Sequence, residues 1–222
     1  MRLFYYTARP LVRIILSMLC RREVKLPQEN TLHFLENSPP LIIISNHLSW
    51  VDPVLLGLSI HRRVAFMAKE RLFHSPLLGL LLRGFGSFPV CRERINRKAL
   101  RKAGEVLGEG LALGMFPEGR RNPYAQLQPA YLGAAFIALH SDAFILPVGI
   151  TGTEKIKSGV KSMNALLHRP KVTVNIGEPF KLPPVNGKLT RAQLALFTDF
   201  IMRRVAELLP ESYRGVYGKD ED

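Results

Sequence analysis

Cysteine is scarce in this 222-residue chain: Cys20 and Cys91 are its only two, far apart and in no C-x-x-C pair. That argues against a disulfide framework and a cysteine zinc site, and it fits a reducing compartment. No stretch reaches the ~18–20 uncharged apolar residues that a bilayer-crossing helix needs, because Arg13 and Arg83 interrupt the longest candidates. Arg21 and Arg22 stand where small cleavage-site residues would follow a secretory leader. There is no His-Glu-x-x-His or carboxylate cluster to suggest a metal and no G-x-x-x-x-G-K-[ST] loop for a nucleotide. A G-x-S-x-G elbow, which would present a covalent serine nucleophile, is also missing. At 47% hydrophobic and 22% charged residues, the composition is that of a globular domain rather than a disordered or fibrous chain.

Acidic residues are the minority charge. Asp and Glu number 18 against 31 Lys and Arg, a net charge of +13. Such a surplus points to an anionic partner: a membrane surface, a phosphorylated substrate or nucleic acid. No nucleic-acid-binding signature accompanies it. Most of the surplus lies in two stretches, residues 1–25 and 92–102. In the first, Leu3, Phe4, Tyr5, Tyr6, Leu11, Val12, Ile14, Ile15, Leu16, Met18 and Leu19 are interleaved with arginines. Apolar and aromatic residues with Arg on the polar side describe a helix lying in the headgroup plane; a helix packed on the core is the alternative. Pro10 is expected to break this segment into a short arm and a helix.

Short apolar or β-branched runs recur at Leu41–Ser45, Val64–Ala68, Ser87–Val90, Leu111–Phe116, Phe144–Ile150 and Lys171–Ile176, each bounded by turn residues. Helix-like stretches lie between and after them: Pro53–Ile60 with Asp52 as cap, Glu93–Glu109, Tyr131–His140, and Thr190–Leu209 with Thr190 as cap. This alternation predicts an α/β fold, a largely parallel or mixed sheet flanked by helices. Residues 1–40 read as an N-terminal helical, membrane-associating element, and residues 41–222 as the α/β domain.

Ligands of open α/β sheets bind beyond the carboxyl ends of the strands. Here the first run is followed by Asn46-His47-Leu48-Ser49-Trp50-Val51-Asp52, the third by Cys91-Arg92, and the fourth by Pro117-Glu118-Gly119-Arg120-Arg121. Parallel strands would bring these groups to one edge. A His and an Asp at this spacing are not specific by themselves. Chemically they suit a neutral imidazole that takes a proton from a hydroxyl and a carboxylate that fixes its tautomer. Five residues are too many for one helix face, so the chain has to turn between strand and helix. The arginines suit an anionic substrate, since guanidinium forks match phosphate oxygens. Alternatively Arg120 and Arg121 are a solvated loop and Glu118 is an internal partner of one of them.

Together these segments resemble the lysophosphatidic acid acyltransferase family. Asn46 to Asp52 matches its NHxxxxD motif, and Phe116 to Arg121 resembles its FPEGTRS motif. Gly86 to Arg92 resembles the motif ending in arginine, and Ile145-Leu146-Pro147-Val148 the short apolar run into proline. Ala68-Lys69-Glu70 resembles a further segment. The resemblance implies fatty acyl transfer, from acyl-CoA or acyl carrier protein, to the sn-2 hydroxyl of lysophosphatidic acid on the cytoplasmic face of a membrane. It implies His47 as general base and Asp52 as its orienting partner, with no metal or organic cofactor. It implies acceptor binding by Arg92, Glu118, Gly119 and Arg121, beside which Arg120 adds a positive charge for the same phosphate, and an acyl-channel or donor-site role for Lys69 and Pro147. Arg120 and Asn122 replace the family's Thr and Ser, and Leu132 stands where many relatives carry a basic residue; these departures bear on the acceptor. Glycerol 3-phosphate or another lysolipid is the alternative acceptor. A non-catalytic binder of anionic membrane or nucleic acid is the alternative of a different class.

Overall fold

The computed structural model describes residues 2–27, 39–90, 97–122, 124–156, 169–185 and 187–218. Seven strands form one sheet: β1 (Arg21–Lys25), β2 (Leu41–Ser45), β3 (Val64–Lys69), β4 (Phe88–Val90), β5 (Ala112–Met115), β6 (Phe144–Thr151) and β7 (Lys171–Ile176). Their spatial order is β1-β7-β6-β2-β5-β3-β4. From β4 to β6 all neighbours run parallel, β7 runs antiparallel to β6, and β1 is parallel to β7. The mixed α/β sheet expected from sequence is thus observed. Five carboxyl strand ends share one edge, with β2, β5 and β6 side by side at the centre.

The central strands read as unbroken apolar runs because both faces are covered. On one face Ile42, Ile44, Leu113 and Ile145 pack beneath the helices α4 (Arg97–Gly108), α5 (Gly133–Ser141) and α6 (Arg191–Glu207). On the other, Leu41, Ile43, Ala112 and Leu146 pack beneath α2 (Asp52–Ser59) and α1 (Arg2–Leu19). The helix α3 (Pro76–Gly84) follows a 3₁₀ turn at Glu70–His74. Thr190 caps α6 in a reciprocal box with Gln193, as its position before the helix predicts.

Three local readings change. Pro10 does not divide the N-terminal segment: α1 is continuous with Pro10 inside it. A proline removes one intrahelical hydrogen bond but keeps a helical φ, so a helix can run through it. Arg21–Lys25, a charged run with no strand signal of its own, becomes an edge strand by pairing with β7, aided by a Glu23–Lys171 ion pair of 2.8 Å. Asp52 is the first helical residue of α2, and Val51 is the cap, whose carbonyl accepts the Leu55 amide. The Asp52 side chain is thereby free for other donors. The start of the helix expected at Glu93 lies outside the described residues.

Candidate active site

The chain leaves β2 at Ser45 and re-enters helix seven residues later, so His47 and Asp52 sit on either side of a tight turn. Asp52 is fully buried. Its Oδ2 accepts three hydrogen bonds: from the Leu48 amide at 2.6 Å, the Ser49 amide at 2.7 Å and the His47 ring Nδ1 at 2.8 Å. An ionised carboxylate only accepts, so Nδ1 carries the proton and the lone pair falls on Nε2. The His47 ring stacks on Phe116, with centroids 4.2 Å apart and planes 20° apart, and Phe116 stacks in turn near Phe66 at 5.8 Å. One nitrogen is thus tied, one ring face is covered, and the side chain keeps only 15% of its exposure. This is the geometry of a base with a fixed tautomer.

The backbone of His47 is held as firmly as its ring. Its amide donates to Glu118 Oε1 at 2.9 Å, and its carbonyl accepts from the Asn122 amide at 2.8 Å. Asn46, fully inside, extends the β2–β6 ladder with its side chain: Nδ2 donates to the Ile150 carbonyl and Oδ1 accepts the Ile150 amide, both at 2.8 Å. The loop after β5 therefore forms a shelf under the turn after β2. Gly119 shapes that shelf with φ +67°, and a Cβ there would stand 2.7 Å from the Tyr131 ring.

Glu118 is 3% exposed. Its second oxygen, Oε2, accepts the Gln128 amide at 3.0 Å. Burial raises its carboxyl to about 7; Asp52 adds to the rise, while the two amides and Arg120 oppose it. A carboxyl that binds its proton more tightly folded than unfolded stabilises the fold below its unfolded value and loses that stability as pH climbs through the folded one. The rise from 4.5 to about 7 corresponds to roughly 3 kcal/mol. Stability attributable to this group should fall between about pH 4.5 and 7. Glu118→Gln does not titrate, so its melting temperature relative to the parent should rise over that window. A constant difference across the window would remove burial as the dominant influence on Glu118.

Of the residues singled out in the sequence, His47, Asp52, Glu118 and Gly119 are brought together at the junction of β2 and β5. Arg120 and Arg121 extend from the same loop into solvent. No carboxylate partner for Arg121 is found among the described residues. Lys69 ends β3, two strands from β2, paired with Val90 of β4. Arg92, two residues beyond Val90, lies outside the described residues. Pro147 is buried within β6, level with Ile44 of β2 and so with Met115 at the end of β5, and its carbonyl accepts the Gly177 amide at 2.9 Å. Sequence reasoning did not single out Phe116 as the wall behind the base, the backbone-mimicking role of Asn46, or Gln128. Phe116 and Asn46 lie inside the matched motifs, but motif matching carries no information on what they touch. Gln128 acts through its backbone amide, which has no residue signature.

Residues 26–151 match the family model described as Acyltransferase. The chain is 29% identical over 177 residues to a 1-acyl-sn-glycerol-3-phosphate acyltransferase of Bacillus subtilis, covering 78% of this chain and 84% of that one. It is 29% identical over 186 residues to the protein of the same name from Streptococcus pneumoniae, covering 83% of this chain and 65% of that one. The crystal structure of the 1-acyl-sn-glycerophosphate (LPA) acyltransferase PlsC from Thermotoga maritima superposes with a TM-score of 0.66 at 22% identity, covering 91% of this chain and 77% of that one. At that identity the likeness concerns the fold.

Proposed function

Because this chain belongs to the acyltransferase family, we propose that it transfers a fatty acyl group from acyl-CoA or acyl carrier protein to the sn-2 hydroxyl of lysophosphatidic acid, giving phosphatidic acid. The observation that carries the reading is the tied imidazole: Nδ1 held by Asp52 and Nε2 left to accept a proton. In this mechanism Nε2 takes the hydroxyl proton as the hydroxyl oxygen attacks the thioester carbonyl. The C–O bond forms, the C–S bond breaks as the tetrahedral intermediate collapses, and the proton passes from His47 to the departing sulfur. Asp52 keeps the ring in its tautomer and stabilises the imidazolium between the two transfers. Arg120 and Arg121, with Arg92, supply the positive charge for the acceptor phosphate. The names of the relatives favour lysophosphatidic acid over glycerol 3-phosphate.

The test is thiol release from a long-chain acyl-CoA, or product formation from acyl carrier protein, with lysophosphatidic acid, glycerol 3-phosphate or no acceptor. Transfer should require lysophosphatidic acid. Arg121→Ala should raise the acceptor KM about tenfold and leave the donor KM within about twofold, the scale of one charge-assisted contact. A donor KM that rises instead would put the other substrate over this loop.

The substrate and product are lipids, and α1 offers a way to reach them. No described helix is long and apolar enough to cross a membrane. In α1, Leu16 packs inward at 4% exposure, whereas Leu11, Ile14, Ile15 and Met18 are all at least half exposed. Their spacing of three and four residues puts them on one stripe. Arg13 lies on the exposed helix beside them. Arg22 is crowded as well: burial first, then Arg13 and Arg9, pull its guanidinium below the usual range. An apolar stripe beside clustered cations suits a helix resting on an anionic leaflet, and we place the enzyme there, on the cytoplasmic face. Ile14→Gln with Met18→Gln should cut binding to vesicles containing an anionic phospholipid at least tenfold, with unchanged circular dichroism. Undiminished flotation of the double variant would mean that this stripe does not meet lipid.

A further inference from the structure

We propose that Glu118 is a positioning residue for His47 rather than a ligand of the acceptor, and that its clamp is braced by the C-terminal residues 211–217. The inference rests on the acyl-transfer reading above and deepens it. Three observations carry it.

The first is occupancy. A carboxylate that binds substrate has to show an oxygen to solvent. Glu118 shows almost none, and each of its oxygens is engaged by a main-chain amide, Oε1 by His47 and Oε2 by Gln128. Those amides belong to two different loops, so the carboxyl group joins them. One holds the base; the other lies ten residues further along the chain.

The second is direction. The His47 amide is the donor, so Glu118 acts on the residue whose ring does the chemistry, through its backbone. Asn122 completes the grip from the same loop by donating to the His47 carbonyl. With Asp52 on the ring and Glu118 and Asn122 on the main chain, the Nε2 lone pair has little freedom to swing. Misplacing a reacting group by about 1 Å can cost about a hundredfold in rate.

The third is the bracing of Gln128. The Leu127 amide donates to the Tyr213 carbonyl at 2.9 Å, and the Val216 amide donates to the Leu127 carbonyl at 3.3 Å. The Ala130 amide donates to the Tyr217 hydroxyl at 3.0 Å. Gly215, at φ +51°, lets the two backbones approach: a Cβ there would stand 2.2 Å from the Leu127 carbonyl oxygen. Tyr213 is anchored in turn, its hydroxyl donating to Glu154 Oε1 at 2.9 Å just beyond β6. Residues 211–217, which supply the brace, lie beyond the matched stretch of residues 26–151, whereas the residues they hold, 127–130, lie within it. A path of hydrogen bonds thus runs from the last described turn of the chain, through residues 127–130 and Glu118, to the base.

Glu118→Gln separates the two roles. The amide keeps the size and one acceptor oxygen but turns the other oxygen into a donor, so it can hold only one of the two amides. For a positioning residue, kcat should fall at least tenfold while the acceptor KM stays within about threefold. For an acceptor ligand, the acceptor KM should rise tenfold or more with kcat nearly retained, as for Arg121→Ala in the same assay; that result would overturn the proposal. Hydrogen exchange provides a readout independent of activity. In Glu118→Gln, amide exchange in residues 46–52 or 126–131 should accelerate at least tenfold; unchanged exchange in both segments overturns the clamp. If the parent enzyme transfers no acyl group to lysophosphatidic acid, the functional reading fails, while the exchange result still decides the clamp. Tyr217→Phe, which removes only the hydroxyl that accepts Ala130, serves should Glu118→Gln not fold. It should lower kcat several-fold with the acceptor KM unchanged, and an unaltered kcat would overturn the brace.

Discussion

His47→Ala should lower turnover with lysophosphatidic acid at least a hundredfold while the protein remains folded. General-base assistance contributes roughly 10²–10⁴ in rate, and Nε2 is the site's untied nitrogen. The fold should survive because what His47 gives the structure is mostly its backbone. The amide on Glu118 and the carbonyl under Asn122 are unchanged in an alanine variant. What is lost is the ring's contact with Phe116 and one of the three donors on Asp52 Oδ2. Both backbone amides remain on that oxygen, so the buried carboxylate keeps two partners. Binding of both substrates should stay within about threefold, since the ring acts on the proton rather than on the phosphate or the acyl chain. Turnover equal to the parent, measured with saturating donor and acceptor, would remove His47 from the role of base.

Much of this arrangement was legible in the chain. Short β-branched or apolar runs bounded by turn residues mark six of the seven strands; the central β2, β5 and β6 are apolar along their length because both faces are covered, whereas β7 alternates. Alternation with helices forces parallel neighbours, and parallel neighbours put the strand exits at one edge. From that alone His47, Asp52 and Glu118 fall close together. The seventh strand escaped because Arg21-Arg22-Glu23-Val24-Lys25 has no periodicity to read; it is a strand only because β7 offers an edge and Lys171 a partner for Glu23.

Roles were harder to read than places. Sequence offers two uses for Glu118, a substrate ligand or a partner for a neighbouring arginine. Its hydrogen-bond partners are two amides, which no side-chain pattern announces. Pro147 stands in a matched segment, and alternation along β6 puts it on the face shared with Ile145, level with Ile44, a placement the motif alone does not give. The brace from Tyr213 and Tyr217 was invisible for a related reason. It joins residues almost ninety positions apart, Leu127 through main-chain groups and Ala130 through its amide on the Tyr217 hydroxyl, and hydrophobic patterning has no term for that.

Asp52→Asn should lower kcat by roughly 10²–10⁴ with only a modest loss of stability, and Asp52→Ala should cost stability as well. In the parent, Oδ2 gathers the Leu48 amide, the Ser49 amide and the His47 ring in a fully buried position, while Oδ1 has no hydrogen-bond partner among the described residues. Asparagine can place its carbonyl oxygen where Oδ2 is and keep all three donors paired, with its NH₂ where Oδ1 was. The turn after β2 should therefore persist. What disappears is the negative charge that steadies the imidazolium while the proton is in transit, so the loss falls on the chemical step. Alanine leaves two buried amides and a ring nitrogen without a partner, at about 1–3 kcal/mol for each unsatisfied group. Its unfolding midpoint in urea should drop well below that of the asparagine variant. A common drop in stability for both substitutions, with kcat of the asparagine variant close to the parent, would show that Asp52 holds the turn and contributes no charge to the reaction. A large kcat loss in a folded, asparagine-substituted enzyme would separate the two duties of the same oxygen: an anchor for the loop through two amides, and an electrostatic partner for the base through the third donor.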